Sequence, residues 1–418
     1  MSENTNKVSH TKYALAAFLA SVIFVIMYKY NMNEILPEGY ADIKDHIAYA
    51  QAFHVDTFWQ AWLKLPYPVW HLCVQGSIVF LKMPVNEAAC WVSGLFCVFG
   101  YFVTFFIIDK LATKLSGRDA GVMAAGISAI LSLVMPLYVP WFNTWHYEGQ
   151  FSINPFFNPT HMAVKPIGLL VFAYAIDLIR QYQGMDTIFC TSKRAQKLLF
   201  PMFSVMLLFS SFTKPTFMYM LLPAGVCYLL VDMVIALWRK DGSWKKVWSF
   251  MWRIGCAAIP AVLYLIFQYS AFYLWGGTNE DAKVAIYPLL TAWHLYSPNV
   301  PTSILISMLF PIWMGITNPT YFIKSVEGRL AAIGYAVGTM EFSLFVETGN
   351  KLGHLNFSWP MMAGMLLIWV ICAAKLVELS CNAKPGKWTN IKIVVGWLFL
   401  GIHLFSGLYY INPYEYII

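Results

Sequence analysis

Asp42, Asp45 and His46 are the first residues whose types and spacing suggest chemistry. They lie in Gly39-Tyr40-Ala41-Asp42-Ile43-Lys44-Asp45-His46-Ile47-Ala48-Tyr49-Ala50, just after the first apolar run. On a helix they take positions i, i+3 and i+4 and project from one face. Ile43, Ile47 and Ala50 then fall on the opposite side, where they can rest on a membrane surface. Two carboxylates and an imidazole on one ridge can accept a proton, hold a divalent cation such as magnesium or manganese, or do both. The plain alternative is a solvated amphipathic turn leading out of a bilayer.

Other unusual residues recur along the chain. The segment from Trp141 to Ala163 contains Trp145-His146-Tyr147-Glu148-Gly149 and Asn154-Pro155-Phe156-Phe157-Asn158-Pro159-Thr160-His161. Its aromatic residues suit an interfacial belt. They equally suit stacking on pyranose rings, with Glu148, Asn158 and His161 bonding the hydroxyls. Lys165-Pro166 opens the next apolar run, and Lys214-Pro215 separates two closely spaced ones. A lysine there can snorkel to the interface or hold a phosphate at headgroup depth. Pro215 breaks the helix and frees backbone groups beside the cation. Glu341 lies inside an apolar run, where a carboxylate marks a functional site by default unless it merely pairs with a neighbour such as Lys214. Glu347, Lys351, His354 and Asn356 follow in one short polar stretch that ends at Trp359.

The scaffold for these residues follows from composition. Aliphatic and aromatic residues make up 59% of the 418, and 12% are charged. That excludes an ordinary soluble domain and predicts an all-α polytopic membrane protein. About eleven spans of roughly 20 residues use up the chain, leaving one integral-membrane domain over 1–418. The runs are 13–30, 88–108, 121–142, 164–181, 199–213, 216–237, 254–275, 301–317, 330–347, 358–378 and 393–411. The stretch 66–83 is apolar enough for a short span. The positive-inside rule instead predicts an interfacial helix within a first outer loop, 31–87, because every arginine and most lysines then face the cytoplasm. The N-terminus is then cytoplasmic, in a bacterial inner (plasma) membrane, and the run after Lys12 reads as an uncleaved first span. The outer loops are aromatic and acidic and carry seven of the nine histidines, so the chemistry faces outward. A net charge of +7 scattered over short loops is no nucleic-acid signature. The eight cysteines form neither a CxxC pair nor a disulfide framework.

With Asp42-Ile43-Lys44-Asp45-His46 after the first span, an apolar Pro66-Tyr67-Pro68-Val69-Trp70-His71 before the second, Thr213-Lys214-Pro215, Glu347-Thr348-Gly349 and His354-Leu355-Asn356-Phe357-Ser358-Trp359, the chain resembles the C-type superfamily of integral-membrane glycosyltransferases. The likeness is to bacterial members from surface-polysaccharide clusters. It departs from protein mannosyltransferases and oligosaccharyltransferases in having no adjacent Asp-Glu pair and no large C-terminal soluble domain. The resemblance implies transfer of a sugar from a polyprenyl-phosphate donor, held among membrane lipids, to an acceptor on the outer face. Asp42 would be the general base, Asp45 and His46 would orient it or share a divalent cation, and Lys214, with Lys165 or Lys351, would neutralise the leaving phosphate. A carrier or flippase of lipid-linked saccharides is the strongest alternative, and a polysaccharide polymerase or acyltransferase a third. The absence of a P-loop or GxGxxG fingerprint argues against direct use of a nucleotide sugar.

Overall fold

The computed structural model describes residues 2–35, 42–145, 147–275, 283–383 and 386–411. Gly39, Tyr40, Ala41 and His146, named above, lie outside the described residues. Helices dominate, since in an apolar surrounding a helix satisfies its own backbone groups. In chain order they are α1 (Ser2–Ile35), α2 (Ile43–Ala52), α3 (Phe58–Lys64), α4 (Val69–Leu81), α5 (Val85–Ser116), α6 (Gly121–Leu131), α7 (Pro159–Tyr182), α8 (Lys193–Lys197) and α9 (Leu199–Thr213). There follow α10 (Thr216–Arg239), α11 (Trp244–Tyr269), α12 (Thr291–His294), α13 (Val300–Thr317), α14 (Pro319–Lys324), α15 (Val326–Leu344), α16 (Ser358–Cys381) and α17 (Lys387–Ile411). Two three-residue strands, β1 (Val284–Ile286) and β2 (Phe345–Glu347), pair antiparallel with Val284 opposite Glu347.

Eight helices are long and apolar enough to cross a bilayer: α1 from His10, α5, α7, α10, α11 with its continuation to Leu274, α13, α16 with the turn before it, and α17 from Asn390. Their 18–32 residues rise through roughly 27–48 Å, against a hydrocarbon core of about 30 Å. The expected eleven spans therefore reduce to eight by this measure. Over 199–213 the helix has 15 residues, over 121–142 only 11, and over 66–83 only 13. At 330–347 the 19-residue α15 carries Glu327, Arg329 and Glu341.

After α6 the chain leaves the helix although its side chains stay buried: Leu133, Val134 and Met135 are core residues. Their backbone finds partners on other helices. The Met135 N–H donates to the His403 carbonyl at 3.2 Å and the Leu137 N–H to that of Ile306 at 3.1 Å. Irregular backbone at such depth is tolerated only where protein supplies those partners. The segment 132–158 is thus a buried loop packed against α13 and α17, and it delivers Asn154 and Asn158 to the start of α7.

The tightest helix pair is α15 with α16. A Cβ at Gly338 would lie 2.6 Å from the Pro360 carbonyl oxygen, and one at Gly364 2.7 Å from that of Gly334. Only glycine permits that approach. The polar ends of the bundle are distinct. Arg180 at the end of α7 pairs with the buried Glu327 at 3.6 Å, and Arg329 pairs with Asp232 at 3.6 Å. That cluster lies about 33 Å along α7 from Asn158, at 1.5 Å per residue.

Candidate functional site

Asn158 is the hub of the site. It caps α7: its Oδ1 accepts the His161 backbone N–H at 2.9 Å, and Pro159 fills a first-turn position whose N–H would have no helical partner. The same oxygen accepts the Thr160 hydroxyl at 2.9 Å and the Lys214 ammonium at 3.0 Å. On the other side of the amide, Nδ2 donates to Asp42 Oδ2 at 2.7 Å. Three donors converging on the oxygen and a carboxylate facing the nitrogen leave one orientation for the side chain.

Asp42 stands at the N-cap of α2, yet its side chain makes no capping bond. A capped helix start is worth about 0.5–2 kcal/mol, and here that stabilisation is given up so that the half-exposed carboxylate reaches across to α7. Lys214 sits in the extended linkage between α9 and α10 and is 7% exposed. Its ammonium also donates to Thr160 Oγ1 at 3.2 Å and lies over the Trp359 ring at 4.2 Å. Among the described residues no carboxylate is within ion-pairing reach of it. Burial pushes the Lys214 pKa down to about 7, partly opposed by the negative charge of Asp42. Lys214 directly precedes α10, Asn158 caps α7, and Trp359 lies in the first turn of α16. Three long helices therefore point their N-termini, the positive ends of their dipoles, toward one buried cation.

Trp359 joins a second carboxylate to this centre. Its indole N–H donates to Asn356 Oδ1 at 3.3 Å, and the Asn356 amide donates to Glu347 Oε2. The other Glu347 oxygen accepts the Tyr273 hydroxyl at 2.5 Å. Pairing of β2 with β1 holds the buried Glu347 in place. His161 stacks obliquely on Trp359, with ring centroids 4.9 Å apart.

The structure therefore brings together Asp42, Asn158, His161, Lys214, Glu347 and Asn356. Other expected residues stand apart. Lys165 is buried but donates to Asn154, whose amide in turn holds the Leu131 and Val134 carbonyls at 2.9 Å. That ties the buried loop to α7. Glu341 is half-buried on α15, Lys351 is half-buried in the turn 349–354, and His354 and Asp45 are exposed. Glu148 is half-buried; burial raises its carboxyl pKa, its own backbone opposes that, and the charge of Asp42 adds to the rise.

The reading of α2 needs correction. His46 is buried together with Ile43, Ile47 and Ala50, not with Asp45. That face packs on Trp70, Val74, Ala88 and Ala163 of the protein, not on a membrane surface. His46 Nδ1 instead meets His71 Nε2 at 3.0 Å. With Asp42 turned to Asn158 and His46 to His71, the expected Asp42–Asp45–His46 ligand set is not assembled, and among the described residues no three such side chains converge.

Sequence reasoning missed His71, Trp359 and Tyr273 as site residues. Aromatic residues are 17% of the chain, so no single one stands out, and the His46–His71 contact spans 25 positions.

Chemically, the centre offers a carboxylate that can take a proton and a buried cation that can take an anion, with one amide between them. Compared with known proteins, the chain matches no protein-family model and no curated protein.

Proposed function

We propose that the chain is a multi-pass membrane glycosyltransferase that moves a sugar from a polyprenyl-phosphate donor to an acceptor hydroxyl on the outer face. One observation carries the reading: Asn158 links the Asp42 carboxylate and the Lys214 ammonium in series while keeping them from pairing directly. A direct ion pair would neutralise both groups. Separated, the carboxylate remains a base and the cation remains free for a phosphate.

In the reaction the acceptor hydroxyl gives its proton to Asp42 as its oxygen bonds to C1 of the sugar. The bond from C1 to the phosphate oxygen breaks on the opposite side, and the polyprenyl phosphate leaves with the electron pair. The configuration at C1 inverts. Charge developing on the phosphate is met by Lys214 and by the N-termini of α7, α10 and α16, all set in place beforehand. Trp359 and Tyr67, whose rings flank the ammonium at 4.2 and 5.9 Å, exclude water from it. Glu347, held by neutral donors, can orient sugar hydroxyls.

A carrier of lipid-linked saccharides would use the same cation but has no need of a carboxylate base. Purified protein in nanodiscs, given a panel of radiolabelled polyprenyl-phosphate hexoses and polysaccharide acceptors, separates the two. Asp42→Asn should lower transfer by about 10²–10⁴-fold, the usual worth of a positioned acid–base group, while donor binding stays within a few-fold. Undiminished transfer by Asp42→Asn would remove the base assignment.

A further inference from the structure

Segments 140–145 and 294–298 form the walls of a solvent-open groove of about 640 Å³, in the size range of ligand clefts. The groove is built in advance. The Asn143 amide donates to the Tyr296 carbonyl at 2.9 Å and to the Glu148 carbonyl at 3.2 Å, and the Trp293 indole to the Gly149 carbonyl at 2.6 Å. Gly149 has φ +82°, and a Cβ there would lie 2.5 Å from the Tyr296 carbonyl oxygen. The two walls therefore meet as closely as backbone permits. The Tyr296 hydroxyl donates to the Gly353 carbonyl at 2.9 Å, and Trp145 packs edge-on to its ring with centroids 6.0 Å apart.

The aromatic surfaces are left uncovered: Trp141 is 89% and Trp145 53% exposed. Their neighbours in the groove are Asn143, Thr144 and His294, and among the described residues no charged side chain lines it. Aromatic rings facing acyl chains would sit among apolar neighbours. Aromatic rings flanked by an amide, a hydroxyl and an imidazole match a sugar ring, whose C–H face stacks while its hydroxyls are bonded at the edge. The groove also leads to the centre. Asn143 holds the backbone of Glu148, whose carboxyl lies within the field of Asp42.

We propose that this groove is the acceptor subsite, and that the acceptor is an uncharged saccharide chain. The word acceptor rests on the transfer reading above, but saccharide binding can be measured without transfer. The experiment titrates full-length protein in nanodiscs with fluorescently labelled hexasaccharides of β-glucan, α-mannan and chitin. At least one should bind. Trp145→Ala should weaken it by about tenfold or more, as truncation of an aromatic anchor does. Trp145→Phe, which keeps a stacking face, should stay within a few-fold, and affinity for a polyprenyl monophosphate should be unchanged in both variants. No binding by any of the three, or equal affinity in Trp145→Ala, overturns the proposal, and in the second case the aromatic residues are an interfacial belt. Saccharide binding that depends on Trp145 in a protein with no transfer activity leaves the groove standing and overturns the transfer reading instead.

Discussion

At the scale of residues, the centre rests on polar groups that an apolar chain can keep only if each has a purpose. Lys214 is the clearest, because a buried ammonium without a carboxylate partner is costly unless an anion visits it. The His46–His71 pair makes a different demand. Burial pushes His71 down to about 3, and holds His46 well below its ordinary value with the neighbouring charges of His71 and Lys214 adding to the effect. Both are neutral in the folded protein. The unfolded chain takes up protons at these sites as pH falls through about 6.5, so the unfolded state binds more protons and stability must fall on acidification. The contribution is complete above that pH and is lost progressively below it. Unfolding in detergent should show stability decreasing from pH 7 to pH 5 by up to about 1.4 kcal/mol per pH unit per histidine. His71→Gln should flatten that slope by about one proton. A slope of the opposite sign, or one unchanged in His71→Gln, would mean that the pair is not held neutral.

At the scale of elements, long apolar helices were legible because hydropathy averages over many residues, and α5, α7, α10 and α16 fall close to the expected runs. The loop after α6 was not. Leu131 to Val139 is as apolar as a span, and only the carbonyls of Ile306 and His403, far along the chain, explain why it can unwind there. The site was legible in part for the same reason. Asp42, Asn158 and Lys214 stand out by type, whereas their meeting depends on three helix starts packing together. The α15–α16 contact offers a sharp check on that packing. Gly338→Ala sets a methyl against the Pro360 backbone, so stability should drop by about 1–3 kcal/mol, the usual cost of overpacking. Gly255→Ala, where a Cβ meets nothing within 4 Å, should be neutral or gain about 0.5–1 kcal/mol of helix propensity. Equal effects at the two positions would contradict the close approach.

At the scale of the whole molecule, two polar ends are separated by the apolar bundle, one with the Asp42–Asn158–Lys214 series and one with the Arg180–Glu327 and Arg329–Asp232 pairs. The excess of lysine and arginine around the second end predicts that it faces the cytoplasm. In a background without the native cysteines, His354→Cys should react with an impermeant thiol reagent from outside and Ser192→Cys only after permeabilisation; the reverse pattern would invert the site. The account depends most on Lys214 holding the phosphate of a lipid donor. The most direct measurement is the affinity of a polyprenyl monophosphate for wild type, Lys214→Met and Lys214→Arg in nanodiscs at one pH. Lys214→Met keeps much of the apolar stem and loses the charge, so affinity should fall by about 1.5–3 kcal/mol, the worth of a hydrogen bond to a charged group. Lys214→Arg should recover part of that loss. Equal affinities for all three proteins, with any defect confined to expression or thermal stability, would make Lys214 an interfacial anchor and contradict the account.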